Sequence, residues 1–277
     1  MPQMAINALS ELWLLKELGD IHWQLISNGL QQKSSEFGDG LGNRLYATFV
    51  RIHYTISPLY DFKEDTTLPL NGSIRRYGND AYLSVINGVT DSCFLDAQLM
   101  TCFSQRETQS NSKILKGVLK ENLNYIEKTD SSPEFLNQYR FLRKGLINEI
   151  EHKDFKFIIT DEEVAIRAHK ILPYYEINGV GLLYFACYPI ISDTAVSDIM
   201  ETLGIVSDFK MRYFTIFRDI FYFANCDVND KVIVKLNDIE LLVNDCIKYS
   251  TSLYRKSDNA LMARIFTVKK LCTESCQ

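Results

Sequence analysis

The sequence predicts an α+β fold made of two tandem copies of one unit, in which a curved antiparallel sheet wraps a buried helix. Residues 173–186 (PYYEINGVGLLYFA) run from an extended segment through a polar Asn-Gly corner into a wholly apolar stretch. Residues 2–15 (PQMAINALSELWLL) align with that segment without a gap, and Pro, Ile, Asn and Leu recur at equivalent positions. Each copy is followed by β-branched and aromatic runs that are typical of strands. We interpret the repeat as an internal duplication.

The first unit begins with a helix over residues 9–28, because apolar residues recur there at spacings of three and four. Asn7 and Ser10 are candidate N-caps, and Asn28-Gly29 is expected to end the helix. Strands are predicted over 44–56, 73–77, 81–89, 97–105 and 113–119.

Residues 121–153 are predicted to connect the units and to carry a surface helix over 134–151. In the second unit the Asn-Gly corner is expected to begin a helix that Pro189 kinks or ends, followed by another helix from Asp193 to about Leu203. Strands are predicted over 155–159, 165–172, 211–223, 231–236, 245–254 and 261–269, with a turn at Asp258-Asn259. Helix followed by antiparallel strands, twice, is the order of a double hotdog, with repeats over 1–120 and 154–277.

Composition excludes several classes of function. The 277 residues include 30 Lys and Arg against 35 Asp and Glu, so no basic surface for nucleic acid is expected. The apolar stretch 180–191 is interrupted by Gly and Pro and is shorter than the roughly 20 residues of a membrane span. Seven scattered cysteines, without a CxxC pair, and the lack of an export signal indicate a cytoplasmic protein without a zinc site.

The Asn178 corner is the first candidate site. Free N–H groups at the start of the expected helix could stabilise negative charge on a thioester carbonyl oxygen. Gly179 would let a substrate approach the backbone, and Val180 would lie beside it. The alternative is a capping Asn with a Gly that serves packing alone.

The equivalent corner of the first unit has Asn7, Ser10 and Glu11. A carboxylate early on this helix serves as base or nucleophile in hotdog thioesterases, and Glu11 could do so here; otherwise it complements the helix dipole. Tyr46 and Tyr54 share one face of the following strand, and a tyrosine can donate a proton or carry an acyl group.

Basic and metal-ligating residues give weaker signals. Arg106 and Arg255 lie near strand ends and could contact a coenzyme A phosphate, although solvated arginines would look the same. The four histidines show no metal-ligand spacing, and no nucleotide-binding or hydrolase motif is present.

Three segments resemble a family of biosynthetic double-hotdog proteins that includes bifunctional acyltransferase/decarboxylases of polyketide biosynthesis. They are residues 176–193, with EINGVGLLYFA followed by YPIISD, and, in the first unit, LLKELGDIHW at 14–23 and LYATF at 45–49 with Arg51. The resemblance implies transfer of a (methyl)malonyl-type group from coenzyme A to an acyl carrier protein, with loss of carbon dioxide and without a tightly bound cofactor. It implies an oxyanion site at Asn178-Gly179 and an acyl-carrying tyrosine, for which Tyr46 is the first candidate and Tyr54 the second.

Two other functions remain open from the sequence. One is a hotdog thioesterase that uses Glu11, and the other is a non-catalytic module that binds acyl carriers. The oligomeric state is open between monomer and homodimer, because a double hotdog supplies internally the pairing that single hotdogs obtain by dimerising.

Overall fold

One large sheet organises the chain. The computed structural model describes residues 2–6, 8–78, 80–106, 114–120, 125–152, 154–206 and 209–273. Eleven strands of these segments form a single sheet, and two further pairs of short strands lie outside it.

The first half contains one long helix and most of its strands belong to the large sheet. Its elements are β1 (Met4–Ala5), β2 (Ala8–Leu9), α1 (Glu11–Leu30), β3 (Tyr46–Ile56), β4 (Leu70–Tyr77), β5 (Ala81–Val89), β6 (Phe94–Arg106), β7 (Ile114–Lys116) and β8 (Lys128–Thr129).

The remainder begins with the helix of the predicted connector and continues into the second set of strands. Its elements are α2 (Glu134–Arg143), β9 (Glu149–His152), β10 (Phe155–Ile158), β11 (Ala165–Lys170), α3 (Pro173–Glu176), α4 (Cys187–Leu203), α5 (Phe209–Arg212), β12 (Tyr213–Tyr222), β13 (Lys231–Leu242), β14 (Cys246–Arg255) and β15 (Leu261–Leu271).

The two halves meet edge to edge within the sheet. The strand order is β11-β13-β14-β15-β12-β3-β6-β5-β4-β8, with β7 on β6. All of these pairs are antiparallel except β4 with β8. β12 and β3 pair only from Phe217 with Thr55 to Phe221 with Arg51, so the sheet is joined at its centre over a short distance.

The sheet is covered on both faces. Leu15 and Leu18 of α1, Ile191 of α4, Ile52 of β3 and Ile265 of β15 belong to one apolar cluster, so both long helices share a core. A second cluster lies on the opposite face, because alternate residues of a strand point to opposite faces. It contains Leu136 and Tyr139 of α2, Ile150 of β9, Phe157 of β10 and Phe221 of β12. The connector therefore packs against the sheet.

The first long helix begins and ends two residues later than predicted. Ser10 is its N-cap, as expected, and its Oγ accepts a hydrogen bond from the Trp13 N–H at 3.4 Å. The helix continues through Asn28-Gly29 because Leu30 is buried against the core. Its last residue is Leu30, and the C-cap Gln31 has a left-handed φ of 51°.

The helical prediction after Asn178 is wrong. A single helix, α4, runs from Cys187 to Leu203, and Pro189 lies in its first turn, where no N–H bond within the helix is required. Asp193 lies inside this helix instead of capping a new one. The Asn178 corner is a separate turn, so it presents no helix N-terminus.

The other boundaries differ by a few residues. The connector helix ends at Arg143 instead of residue 151, and Gly145 has a left-handed φ of 66° before β9 begins. The strand prediction for 81–89 matches β5, while β13 continues to Leu242. The predicted Asp258-Asn259 turn joins β14 to β15, and Asn259 has a φ of 58°. Among the described residues, no helix is both long and apolar enough to cross a membrane.

Candidate functional site

A cavity of about 810 Å³ lies where the two halves of the sheet separate. The last paired residues are Arg51 and Phe221, and the start of β3 continues beyond them without β12 as a neighbour. The start of β3, the end of β6, the residues after β12, the Asn178 corner and α2 all line the opening. The cavity therefore lies at the junction of the two halves.

The Asn178 corner forms one wall of this cavity. A bridge between Ile177 and Leu183 closes the turn, and the Asn178 Oδ1 accepts hydrogen bonds from the N–H groups of Val180 at 3.1 Å and Leu182 at 3.0 Å. Its Nδ2 group has no hydrogen-bond partner among the described residues and remains able to donate. Asn178 and Val180 line the cavity, whereas Gly179 is exposed and does not.

The side-chain amide of Asn225 also holds this corner in place. Asn225, after β12, accepts from the Leu183 N–H at 2.9 Å and donates to the Leu183 carbonyl at 3.1 Å. Arg255 donates to the Asn225 carbonyl and to both carboxylate oxygens of Asp258. Arg255 thus supports the wall without lining the cavity, which is not the phosphate contact expected from the sequence.

Tyr46 also lines the cavity, at the start of β3. The guanidinium carbon of Arg44 is 5.2 Å from its ring centre and that of Arg106 is 5.7 Å away, so two cations hold the ring. The hydroxyls of Thr48 and Ser104 are hydrogen-bonded to each other beside it, and both residues line the cavity.

Arg106 has unused hydrogen-bonding capacity. Its Nε and Nη2 atoms are buried and have no hydrogen-bond partner within the described chain. An ideal Cβ built on Gly181, three residues after Asn178, would lie 3.6 Å from that Nη2, so Arg106 approaches the corner. An unsatisfied buried guanidinium is costly, so Arg106 is a candidate partner for an anionic group, although it is not itself one of the lining residues.

The cavity is mostly apolar and uncharged inside. Trp23, Phe49, Phe185, Tyr188 and Tyr222 form its aromatic wall. Burial holds the pKa of both tyrosines well above the usual range, and their hydroxyls donate to backbone carbonyls at 3.0 and 3.1 Å. Among the described lining residues there is no histidine, and the single carboxylate, Asp80, is paired with Lys116 at 2.5 Å.

Glu11 and Tyr54 lie together elsewhere, in a buried polar network outside the cavity lining, while Ser10 is the half-buried N-cap of α1 and also does not line the cavity. Glu11 is 8% exposed and accepts from Arg218 at 2.7 to 2.9 Å, from Thr215 at 2.7 Å and from the Tyr54 hydroxyl. Burial, together with the Glu11 charge, holds the pKa of Tyr54 well above its ordinary value. Tyr46 and Asn178 share the cavity, while Tyr54 and Glu11 share this network; Asn7 lies outside the described residues.

A second buried network was not predicted from the sequence. Arg51 donates to both oxygens of Asp219 at 3.0 and 2.7 Å, and His152 lies 2.9 Å from one of them. One feature of the sequence could have indicated this network. Arg218 and Asp219 are adjacent in the apolar strand FRDIFY, and charged side chains buried in such a strand must be paired.

The same network contains the one group of described residues spaced for a metal ion. Ligand atoms of His53, His152 and Asp219 lie within 4.8 Å of one another. The two imidazole rings are stacked with their planes 10° apart, so the in-plane lone pairs of their nitrogens lie in nearly parallel planes, and Arg51 donates to both Asp219 oxygens. We therefore interpret the group as an ion-pair network, in which burial lowers the pKa of His53 to about 4.

Comparison with known proteins identifies the fold. No protein-family model and no curated protein sequence matches this chain. A protein named as an oleoyl thioesterase from Lactobacillus plantarum superposes with a TM-score of 0.65 at 10% identity, covering 99% of this chain and 93% of that one. The 12:0-ACP thioesterase from Umbellularia californica gives 0.61 at 9% identity, with 98% and 94% covered. The fold is a double hotdog.

A third structure extends this likeness. An acyl-ACP thioesterase from Bacteroides thetaiotaomicron superposes with a TM-score of 0.54 at 10% identity, covering 97% of this chain and 93% of that one. At such identities the likeness establishes the double-hotdog architecture predicted from the repeat. The chemistry must be argued from this chain's own residues.

Proposed function

We propose that the protein is an acyl-thioester enzyme that moves a (methyl)malonyl-type acyl group from coenzyme A to an acyl carrier protein, with loss of carbon dioxide. The observation that carries the proposal is the composition of the cavity. A hydrogen-bond donor at Asn178 and the hydroxyl groups of Tyr46, Thr48 and Ser104 line one mostly apolar space, whose described lining has no free carboxylate and no histidine. Such a site stabilises negative charge better than it activates water.

Decarboxylation fits this composition. When the bond between the α-carbon and the carboxylate breaks, its electron pair forms an enolate, and the charge collects on the former carbonyl oxygen. The Nδ2 of Asn178 would donate to that oxygen, and it is free to do so because only the Oδ1 of this side chain is committed to the turn within the described residues. The α-carbon of the enolate then takes a proton from water. The step needs oxyanion stabilisation and no general base.

Acyl transfer is assigned to Tyr46. Its hydroxyl oxygen would attack the thioester carbonyl, the carbon–sulfur bond would break, and the coenzyme A thiol would leave with the phenolic proton. The carrier thiol would then take the acyl group and return a proton to Tyr46. Arg106, whose buried nitrogens lack partners among the described residues, would bind the acyl carboxylate before its loss.

Hydrolysis is the second candidate. The three superposed structures with full coverage are named as thioesterases, which favours this alternative at the level of fold. In this chain, however, the carboxylate expected to serve as base, Glu11, is held by Arg218 and Thr215 and does not line the cavity. A carrier-binding module without catalysis would use the same cavity.

The products distinguish these functions. The protein is incubated with malonyl-, methylmalonyl- and acetyl-coenzyme A, with and without a carrier protein, and carrier mass, free acid and carbon dioxide are measured. We expect a carrier mass increase that corresponds to the decarboxylated acyl group. Free acid with an unmodified carrier would establish hydrolysis, and binding without any product would establish the non-catalytic module.

A further inference from the structure

The mouth of the cavity is ringed by cations. Five of its lining residues are basic and exposed: Arg44 before β3, Lys116 on β7, and Arg140, Arg143 and Lys144 at the end of α2. The deeper lining residues Phe49, Leu183 and Phe185 are buried. The cations therefore mark the entrance rather than the interior.

Within the described residues, most of this charge has no counter-ion. Lys116 is paired with Asp80 at 2.5 Å, but in the part of the chain that the structure describes, Arg44 and the three cations of α2 form no salt bridge. The whole chain has a formal charge of −5, so a cluster of one sign at this entrance is a local feature. An unpaired cationic cluster at the mouth of an apolar cavity attracts anions to it.

The packing of α2 against the sheet fixes where its basic residues lie. Leu136, Tyr139 and Leu142 pack this helix against the sheet, and the Tyr139 hydroxyl donates to the Tyr222 carbonyl at 3.2 Å. Arg140 and Arg143 lie in the last turn of this helix, and both line the cavity. The C-terminal end of α2, which contains these basic residues, therefore lies at the opening between β3 and β12.

We propose that Arg140 and Arg143, assisted by Lys144 and Arg44, bind the phosphate group at the distal end of a phosphopantetheine thioester. The inference rests on the proposed function. A pantetheine arm would pass between these cations, leave its phosphate at the entrance and place its thioester between Asn178 and Tyr46. Guanidinium groups suit this role because they form paired hydrogen bonds with phosphate oxygens.

This chemistry is shared by coenzyme A and by the prosthetic arm of a carrier protein. The assignment replaces the one expected from the sequence for Arg255, which is committed to Asp258 and Asn225. It also gives the connector between the two halves a role in substrate binding.

Equilibrium binding of four unacylated ligands tests the inference without depending on turnover. Pantetheine, 4′-phosphopantetheine, coenzyme A and a phosphopantetheinylated carrier protein are titrated by calorimetry at low and high salt. The wild-type protein is compared with Arg140→Ala/Arg143→Ala, and with Lys231→Ala/Lys256→Ala, which removes two exposed cations away from the cavity.

We expect 4′-phosphopantetheine to bind about tenfold more tightly than pantetheine, an advantage of about 1.4 kcal/mol. High salt should reduce this advantage of 4′-phosphopantetheine over pantetheine. The Arg140→Ala/Arg143→Ala variant should lose the advantage, and the control variant should keep it. Coenzyme A binding more tightly than the carrier would identify the nucleotide as the main source of phosphate, and the reverse would identify the carrier. Equal binding of pantetheine and 4′-phosphopantetheine, or an unchanged ratio in the variant, would overturn the inference. The proposed function fails separately, if no acyl donor is turned over.

Discussion

Arg218 donates through its Nη2 to both carboxylate oxygens of Glu11, at 2.7 and 2.8 Å, although the two residues belong to different halves of the chain. Arg218 is fully buried, and its other contacts are Asp193, Thr267 and Thr215. The pair therefore joins the start of α1 to the central strand β12. A residue that the repeat pattern placed at a candidate active site belongs to a buried connection between the halves.

Replacing Glu11 by Gln should therefore reduce stability more than activity. Removal of one partner from a buried ion pair costs roughly 3 to 5 kcal/mol, and the remaining contact of Arg218 with Asp193 places the expected loss at the lower end. Denaturant titration measures the free energy of unfolding, with Glu17→Gln on the same helix as the control. Abolished turnover in a protein of unchanged stability would instead support Glu11 as a hydrolytic base.

Tyr46→Phe removes the hydroxyl proposed to carry the acyl group and leaves the ring between its two arginines. We expect acyl transfer to the carrier to fall by at least about a hundredfold, with substrate affinity nearly unchanged. Tyr254→Phe is the matched control, because Tyr254 is also half-buried with a cation, Lys235, 5.3 Å from its ring centre. Equal transfer rates in both variants would remove Tyr46 from the mechanism.

Asn178→Asp removes the Nδ2 donor of this side chain and keeps an oxygen acceptor for the turn. A carboxylate oxygen can still accept from the Val180 and Leu182 N–H groups, so the corner should keep its shape. The amide N–H proposed to donate to the reacting oxygen is lost, and removal of one oxyanion donor costs about a hundred- to a thousandfold in rate. Single-turnover decarboxylation measures the effect. A variant with the wild-type rate would contradict the proposed role of Asn178.

Arg106→Met tests the acyl-carboxylate contact. The substitution removes a guanidinium whose Nε and Nη2 are unpaired in the described structure, so folding should tolerate it. Binding of malonyl-coenzyme A should weaken by about tenfold, while binding of acetyl-coenzyme A should hardly change. Equal weakening of both ligands would show that Arg106 does not recognise the carboxylate.

His22 should make stability depend on pH. It is completely buried, and this burial lowers its pKa to about 3, while its ring nitrogens lie 2.6 and 3.0 Å from the hydroxyls of Ser84 and Thr101. Below pH 6.5 the unfolded chain protonates this histidine and the folded chain does not, so stability is lost as pH falls from 6.5 towards 3. The expected contribution to the slope is about 1.4 kcal/mol per pH unit. His22→Gln should remove it, and an unchanged slope would show that the ring is protonated in the fold.

The fold was predictable because its signals are local and repeated. The helix spacing around Leu15 and Leu18, the capping Ser10 and the β-branched strands are properties of neighbouring residues. The helix predicted after Asn178 failed because apolarity alone cannot separate a buried turn from a buried helix. Leu182 and Leu183 are buried in an irregular corner, where their backbone N–H groups donate to the side chains of Asn178 and Asn225.

The site was predictable only in part. Asn178 and Tyr46 were chosen from the sequence and line the same cavity, but nothing local indicates that Glu11 meets Arg218, or that Arg140 and Arg143 reach the opening beside β3. These contacts depend on the pairing of β3 with β12 and on the return of the connector across the sheet. Both are tertiary relationships between residues far apart in the chain.

The most direct test is a crystal structure with a malonyl-coenzyme A analogue in which oxygen replaces the thioester sulfur. We predict that its carbonyl oxygen lies about 3 Å from the Asn178 Nδ2, with the acyl group beside Tyr46 and the phosphates against Arg140 and Arg143. An acyl group bound against Glu11 and Arg218, or anywhere outside the junction cavity, would contradict the proposed site.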